Sequence, residues 1–178
     1  MLGNCERNPA EVERLASELI ELSTRHNFAL WLAVGALWRG WARSAAGDAA
    51  EGISWIEQGL IDFRPINERP AFLARKAEAL HLADRTSEAL EAINEAEAFA
   101  QRFESHYWSA ELHRLQGVFL AAMGADETQV EASFREAIRI AKEQKSVSLE
   151  KRAEATYAEY RRQKASGSGG RGFPLPLW

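Results

Sequence analysis

The sequence predicts an all-α fold, an α–α superhelix built by stacking antiparallel helix pairs. Three observations carry that prediction. Ala, Glu, Leu and Arg dominate, and long β-branched runs are absent, a composition that favours helix. Apolar residues recur at steps of three and four, the spacing of one helix face. Small and large residues also recur together at steps of 37 to 41 residues, which is how helix-pair arrays are written. The five prolines, at 9, 65, 70, 174 and 176, lie outside the apolar-periodic segments, as a helical chain requires.

The elements follow in order. Val12, Leu15, Leu19 and Leu22 mark an amphipathic helix at about 10–25. Residues 28–45 are more evenly apolar, which suits a helix flanked on both sides. Gly47-Asp48 breaks the chain, and Asp48 with Glu51 has capping-box spacing. Ile53, Ile56 and Leu60 mark the return helix, and Arg64–Arg69 reads as a loop. Pro70 suits a first helical turn, so the next pair is placed at 70–103, broken at Asp84-Arg85-Thr86. Its second helix carries Leu90, Ile93, Ala96 and Ala100. A third pair, 107–143, is broken at Gly124-Ala125-Asp126, with Asp126 and Gln129 again at capping-box spacing. Its stripe is Val130, Phe134, Ala137, Ile138 and Ala141. A last helix, 147–163, caps the stack. The expected organisation is one helical domain, 1–164, with pairs at 28–63, 70–103 and 107–143, followed by a Gly/Ser linker and apolar tail, 165–178.

Superposing the pairs exposes the repeat. Gly52, Ile56 and Gly59 correspond to Ala89, Ile93 and Ala96, and then to Val130, Phe134, Ala137 and Ile138. In the preceding helices Gly40, Ala77 and Gly117 are equivalent, at steps of 37 and 40. A small residue, three intervening, a large one, two intervening and a small one is the pattern of tetratricopeptide repeats. These units exceed the usual period of about 34, and longer helices and loops absorb the excess. The first helices of such an array line a concave groove.

Composition excludes several classes. The 178 residues carry 26 acidic and 22 basic groups, a formal charge of −4, unlike the basic footprint of a nucleic-acid binder. Phe28 to Trp38, the longest nearly uncharged run, is eleven residues, short of the roughly 20 that a membrane helix needs. There is one cysteine, Cys5, which cannot form an internal disulfide and fits a reducing cytoplasm. The first thirty residues lack a signal-peptide pattern. The Ser/Gly tract 166–170 is read as a linker, since a phosphate loop sits between strand and helix.

At this point a family resemblance appears. The segments Tyr107-Trp108-Ser109-Ala110-Glu111-Leu112-His113-Arg114-Leu115-Gln116-Gly117, Phe134-Arg135-Glu136-Ala137-Ile138-Arg139-Ile140-Ala141 and Ser148-Leu149-Glu150-Lys151-Arg152-Ala153 carry it. They resemble the last repeats of bacterial multidomain regulators. Those join a class III nucleotide cyclase or DNA-binding domain, an ATPase domain and a carboxyl-terminal tetratricopeptide region. The resemblance covers about 10–163. It implies a repeat module of a signalling protein, not a cyclase or ATPase: no G-x-x-x-x-G-K-[ST] loop is present.

The function expected is a protein-interaction scaffold that holds a polypeptide in the concave groove. Small-ligand or peptide sensing is the alternative, or self-association as a fragment of a larger regulator. No enzyme is expected, because no nucleophile–base–orienter set is readable, and no cofactor. A metal site is not expected, since His106 and His113 are seven apart, not the i, i+4 of helical zinc ligands. By repeat alignment Glu78, Glu111, Glu150 and Glu154, with His81 and Arg114, fall on groove positions, against a plain reading as surface charge. Trp31, Trp38, Trp41 and Trp55 crowd the first pair, mostly as core. Trp41, one past Gly40, is the expected exposed anchor in the groove. The tail residues Phe173, Leu175, Leu177 and Trp178, spaced by Pro174 and Pro176, are expected to dock as an extended segment on this solenoid or on a neighbouring copy.

Overall fold

A computed structural model describes residues 8–65 and 67–166. Cys5 and the tail residues Phe173, Leu175, Leu177 and Trp178 lie outside the described residues.

The described residues form α1 (Pro9–His26), α2 (Ala29–Ala45), α3 (Ala49–Asp62), α4 (Arg69–Leu82), α5 (Thr86–Arg102), α6 (Ser109–Ala122), α7 (Glu127–Glu143) and α8 (Val147–Ala165). The helix pairs of the sequence are therefore α2–α3, α4–α5 and α6–α7, with α1 ahead of them and α8 behind. Pro9 and Pro70 each sit in a first turn, where a missing N–H costs nothing. Asn8, Asp48 and Asp126 cap α1, α3 and α7 through their side chains. Asp126 reaches Thr128 at 2.9 Å, one residue short of the partner that a capping box would use.

One stop device ends six helices. Asn27, Gly47, Asp84, Glu104, Gly124 and Lys145 all have positive φ. The N–H of the next residue then bonds back to a carbonyl five positions earlier: Phe28 to Ser23, Asp48 to Arg43, Arg85 to Leu80, Ser105 to Ala100, Ala125 to Leu120 and Ser146 to Ala141. This is the Schellman closure, which satisfies orphan carbonyls at a helix end. Helix α3 ends otherwise. Phe63 is extended, and the Arg69 guanidinium donates to the carbonyls of Leu60 and Phe63 at 3.0 and 3.2 Å.

Close crossings need the small residues. A Cβ on Gly40 would lie 2.5 Å from the Gly52 carbonyl oxygen, so α2 and α3 touch backbone to backbone there. Ala77 and Ala89 occupy the equivalent places in the second pair and are fully buried. In the third pair the turn 123–126 has one residue more than 46–48 or 83–85. The second step is longer chiefly because α5 has 17 residues where α3 has 14; the extra turn residue makes it 41 in the second helices against 40 in the first, and the Phe134 ring lies over Gly117, where a Cβ would be 2.8 Å from the ring.

Each helix packs on the next. The only other helix contacts among the described residues are α2 with α4, α4 with α6 and α6 with α8. Thus α2, α4, α6 and α8 form a continuous inner row, and α3, α5 and α7 an outer row of separated helices. Short-range contacts of this kind are the mark of a solenoid. One core runs through it, from Leu37 and Ile56 through Leu73, Leu80 and Ile93 to Leu112, Phe119 and Phe134.

Candidate functional site

Two features occupy the inner row, one at each end. Toward α8 it is ionic. Arg114 grips Glu111 with two hydrogen bonds, at 2.7 and 3.0 Å, and its remaining amino group reaches the Thr156 hydroxyl at 3.3 Å. Arg152 of α8 stands 3.6 Å from the same Glu111 carboxylate. One turn along α4, Arg75 lies 3.5 Å from Glu78. All four of Arg75, Glu78, Glu111 and Arg114 are buried, Arg114 completely. Burial opposes the Arg114 charge, but Glu111 beside it, with Glu78 beyond, raises its pKa above the ordinary value. Such charges are tolerated inside only because they are paired and hydrogen-bonded. The ladder locks α4, α6 and α8 in register.

Toward α1 the inner row is apolar and leaves space. Helix α1 packs only on α2 and makes no contact with α4. The gap between α1 and α4 is a cavity of about 340 Å³. Val12, Leu15, Ala16 and Leu19 wall it from α1, and Ala71, Phe72 and Arg75 from α4, with Glu68 just ahead of α4, Trp38 of α2 and Trp108 completing the lining. Trp38 meets Trp41 and Phe72 edge to face, at 6.2 and 5.9 Å between ring centres. The Arg75 guanidinium lies 5.4 Å from the centre of the Trp38 ring, a cation–π contact that supports the tryptophan from below. The Trp108 indole N–H is buried and has no hydrogen-bond partner. Buried indole N–H groups normally have one. Trp31 is 53 % exposed. It sits seven residues before Trp38 on the same side of α2, and Leu22 sits seven residues after Leu15 on the antiparallel α1. An apolar strip therefore leads from solvent toward the cavity.

The structure redistributes the residues expected at the groove. Trp41 is only 3 % exposed and packs with Val12 and Ala42, so the expectation of an exposed anchor there is corrected. One position past Gly40 turns about 100°, which faces α1; two positions before it, Trp38 lies about 200° round, on the inner face. Glu78, Glu111 and Arg114 do lie on the inner row, but buried in the ion ladder instead of open to a ligand. His81 is half-buried on the Phe119 ring, 5.2 Å between centres, and its Nδ1 meets the Thr86 hydroxyl at 2.9 Å. Burial lowers its pKa. Glu150 and Glu154 flank Lys142 of α7, each at 3.7 Å, so they belong to the α7–α8 seam. His113 sits 3.5 Å from Glu97 across the α5–α6 interface. No three His, Cys, Asp or Glu residues gather as metal ligands among the described residues. Trp38 and Trp108, the two aromatic walls, were not among the expected site residues. The signal for Trp38 was its place opposite a close-crossing glycine.

No family model matches the chain. It is similar to an uncharacterized protein of Rhizobium meliloti (strain 1021), 29 % identical over 155 residues, or 84 % of this chain. The chain spans 15 % of that protein's length. In structure it is similar to Bacillus thuringiensis PlcR, crystallised in complex with the peptide PapR7 and DNA. The TM-score is 0.70 at 20 % identity, over 81 % of this chain and 53 % of that one. That likeness establishes the helix-pair solenoid.

Proposed function

We propose that this chain holds a polypeptide segment along its inner row, with a large apolar side chain of that segment seated between α1 and α4. The cavity carries the reading. It is mostly apolar, with Trp38, Phe72 and Trp108 in its lining beside Glu68 and Arg75, and reached by an open strip, which fits a side chain presented from a backbone. The peptide bound to PlcR supports the same use of a similar fold. PlcR also binds DNA, but the charge of −4 here argues against a nucleic-acid partner for this chain. The resemblance to the repeat region of large regulators, together with a relative of which this chain spans 15 %, supports a regulatory module in bacterial signalling. A cytoplasmic setting accords with that reading. It needs no catalytic group and no cofactor.

The test is selection from a random dodecapeptide library on the full chain, carrying Ser at 173, 175, 177 and 178 so that those apolar residues do not compete. Enriched peptides should share a large apolar residue. They should be lost when Ala71→Trp fills the cavity. Enrichment of the same peptides on the filled variant would place the site elsewhere. If no peptide is enriched and small apolar molecules bind instead, the chain is a small-ligand sensor.

A further inference from the structure

The cavity is one end of a longer apolar seam. Helices α1 and α2 run antiparallel, so seven residues onward in α1 and seven residues back in α2 lead the same way. Leu15 and Trp38 both line the cavity. Leu19 and Val34, each half-buried, form the next rung. Leu22 and Trp31 form the last, each 53 % exposed. Seven residues of helix rise about 10.5 Å, so Leu22 and Trp31 make a second apolar subsite at that distance from the first.

Two properties of this seam select its partner. The first is its poverty in hydrogen-bonding groups. Indole N–H groups aside, Glu68 and Arg75 are the polar side chains of the cavity lining, and the rungs beyond it are apolar. The backbones of α1, α2 and α4 are engaged in their own helices. An extended segment laid here would press N–H and C=O groups against a surface that cannot pair them. A helix pairs its own. On a helix, the residue seven places on lies on the same face, again about 10.5 Å away.

The second property is charge. Glu11 and Glu18 stand four residues before and three residues after Leu15, and they share one partner, Arg14. Glu68, exposed just ahead of α4, has no ion pair among the described residues. Residues 28–38 carry no charge, and Arg75 is matched by Glu78 at 3.5 Å. Three carboxylates thus stand against one guanidinium beside the seam, which favours a cationic guest.

We infer that the partner segment is a basic amphipathic helix lying along the α1–α2 seam. One large apolar residue fills the α1–α4 cavity, and a second, seven places away, rests on Leu22 and Trp31. Lysine or arginine residues flank them, facing Glu68, Glu11 and Glu18. The inference rests on the reading of the cavity as a polypeptide site, and it adds the conformation, spacing and charge of the guest.

The experiment titrates four fluorescein-labelled, eighteen-residue peptides of alanine, glutamine and lysine against the full chain carrying Ser at 173, 175, 177 and 178. The first has leucine at its sixth and thirteenth positions, and the second at its sixth alone. The third has leucine at its sixth and ninth positions, the spacing at which an extended chain spans about 10 Å. The fourth keeps the leucines of the first and has glutamate for lysine. The first should bind about tenfold tighter than the second or fourth, and severalfold tighter than the third. Trp31→Ser should bring the first peptide to the affinity of the second and leave the second unchanged. Glu68→Gln should weaken the first severalfold. Both variants should keep the circular-dichroism melt of the parent. A third or fourth peptide that binds as tightly as the first would overturn the inference, as would a first peptide indifferent to Trp31→Ser. Should library peptides be enriched through the cavity while none of the four binds, the helix assignment fails and the proposed function stands. Should neither the library nor the four peptides bind, both fail.

Discussion

The two ends of the inner row solve one packing problem in opposite ways. Between α4, α6 and α8 the space facing the groove is filled by Arg75, Glu78, Glu111, Arg114 and Arg152, charge against charge. Between α1 and α4 the same row carries Trp38, Ala71 and Phe72 and stays open. The repeat itself shows the switch. Trp38 stands two residues before Gly40, and Arg75 stands two before Ala77, so tryptophan and arginine hold equivalent places and stack on one another. A buried ion ladder is rigid and geometrically demanding, which suits a register lock. An aromatic cavity is tolerant in shape, which suits a guest. The stable end and the binding end of this solenoid are therefore different ends.

That contrast can be broken first at the ionic end. Arg114→Met should leave Glu111 charged and buried, and should cost about 3–5 kcal/mol in thermal or urea unfolding. The double variant Glu111→Leu, Arg114→Met should recover much of the loss, because both charges then leave the interior together. Next in size is the α2–α3 crossing. Gly52→Ala should cost about 1–3 kcal/mol, since the new methyl group meets the Gly40 carbonyl and the Ser44 hydroxyl. A smaller effect separates the ends by pH. Burial lowers the folded-state pKa of His81, so the unfolded chain takes up the proton first. Stability that is full above about pH 6.5 should fall as the solution is acidified below it. His81→Leu should flatten that fall, read as Tm against pH from 7.5 to 5. Least of all, Arg139→Gln should leave Tm unchanged, because the Glu136 and Glu143 pairs of Arg139 lie on the solvent face of α7.

The fold was legible because helix, period and turn each left a local mark. The apolar stripes, Gly47 and Gly124, and the small residues at 40, 52, 77 and 89 placed the pairs, with α3 and α5 ending within a residue of the expected limits. Glu104 and Lys145 were not legible as stops, since neither residue type favours the left-handed conformation that each adopts. The site was legible only in part. Repeat alignment put Glu78, Glu111 and Arg114 on the inner row, but alignment reports direction, not depth. Burial depends on Arg152 and Thr156 arriving from α8, some forty residues away. The cavity was hidden for the same reason: it exists because α1 and α4 fail to touch, and no stretch of sequence records a missing contact. Trp41 and Trp38 differ by three positions and two opposite fates, a distinction that the angle from Gly40 contains once the facing helix is known.

The central claim is that the α1–α4 cavity receives an apolar side chain from a polypeptide. Its most direct measurement compares the tail-substituted chain with the same chain carrying Ala71→Trp, by titration of the library peptide most enriched on the former. The account predicts saturable binding to the first and none to the second, with both melting cooperatively. Equal affinity for the two would contradict it.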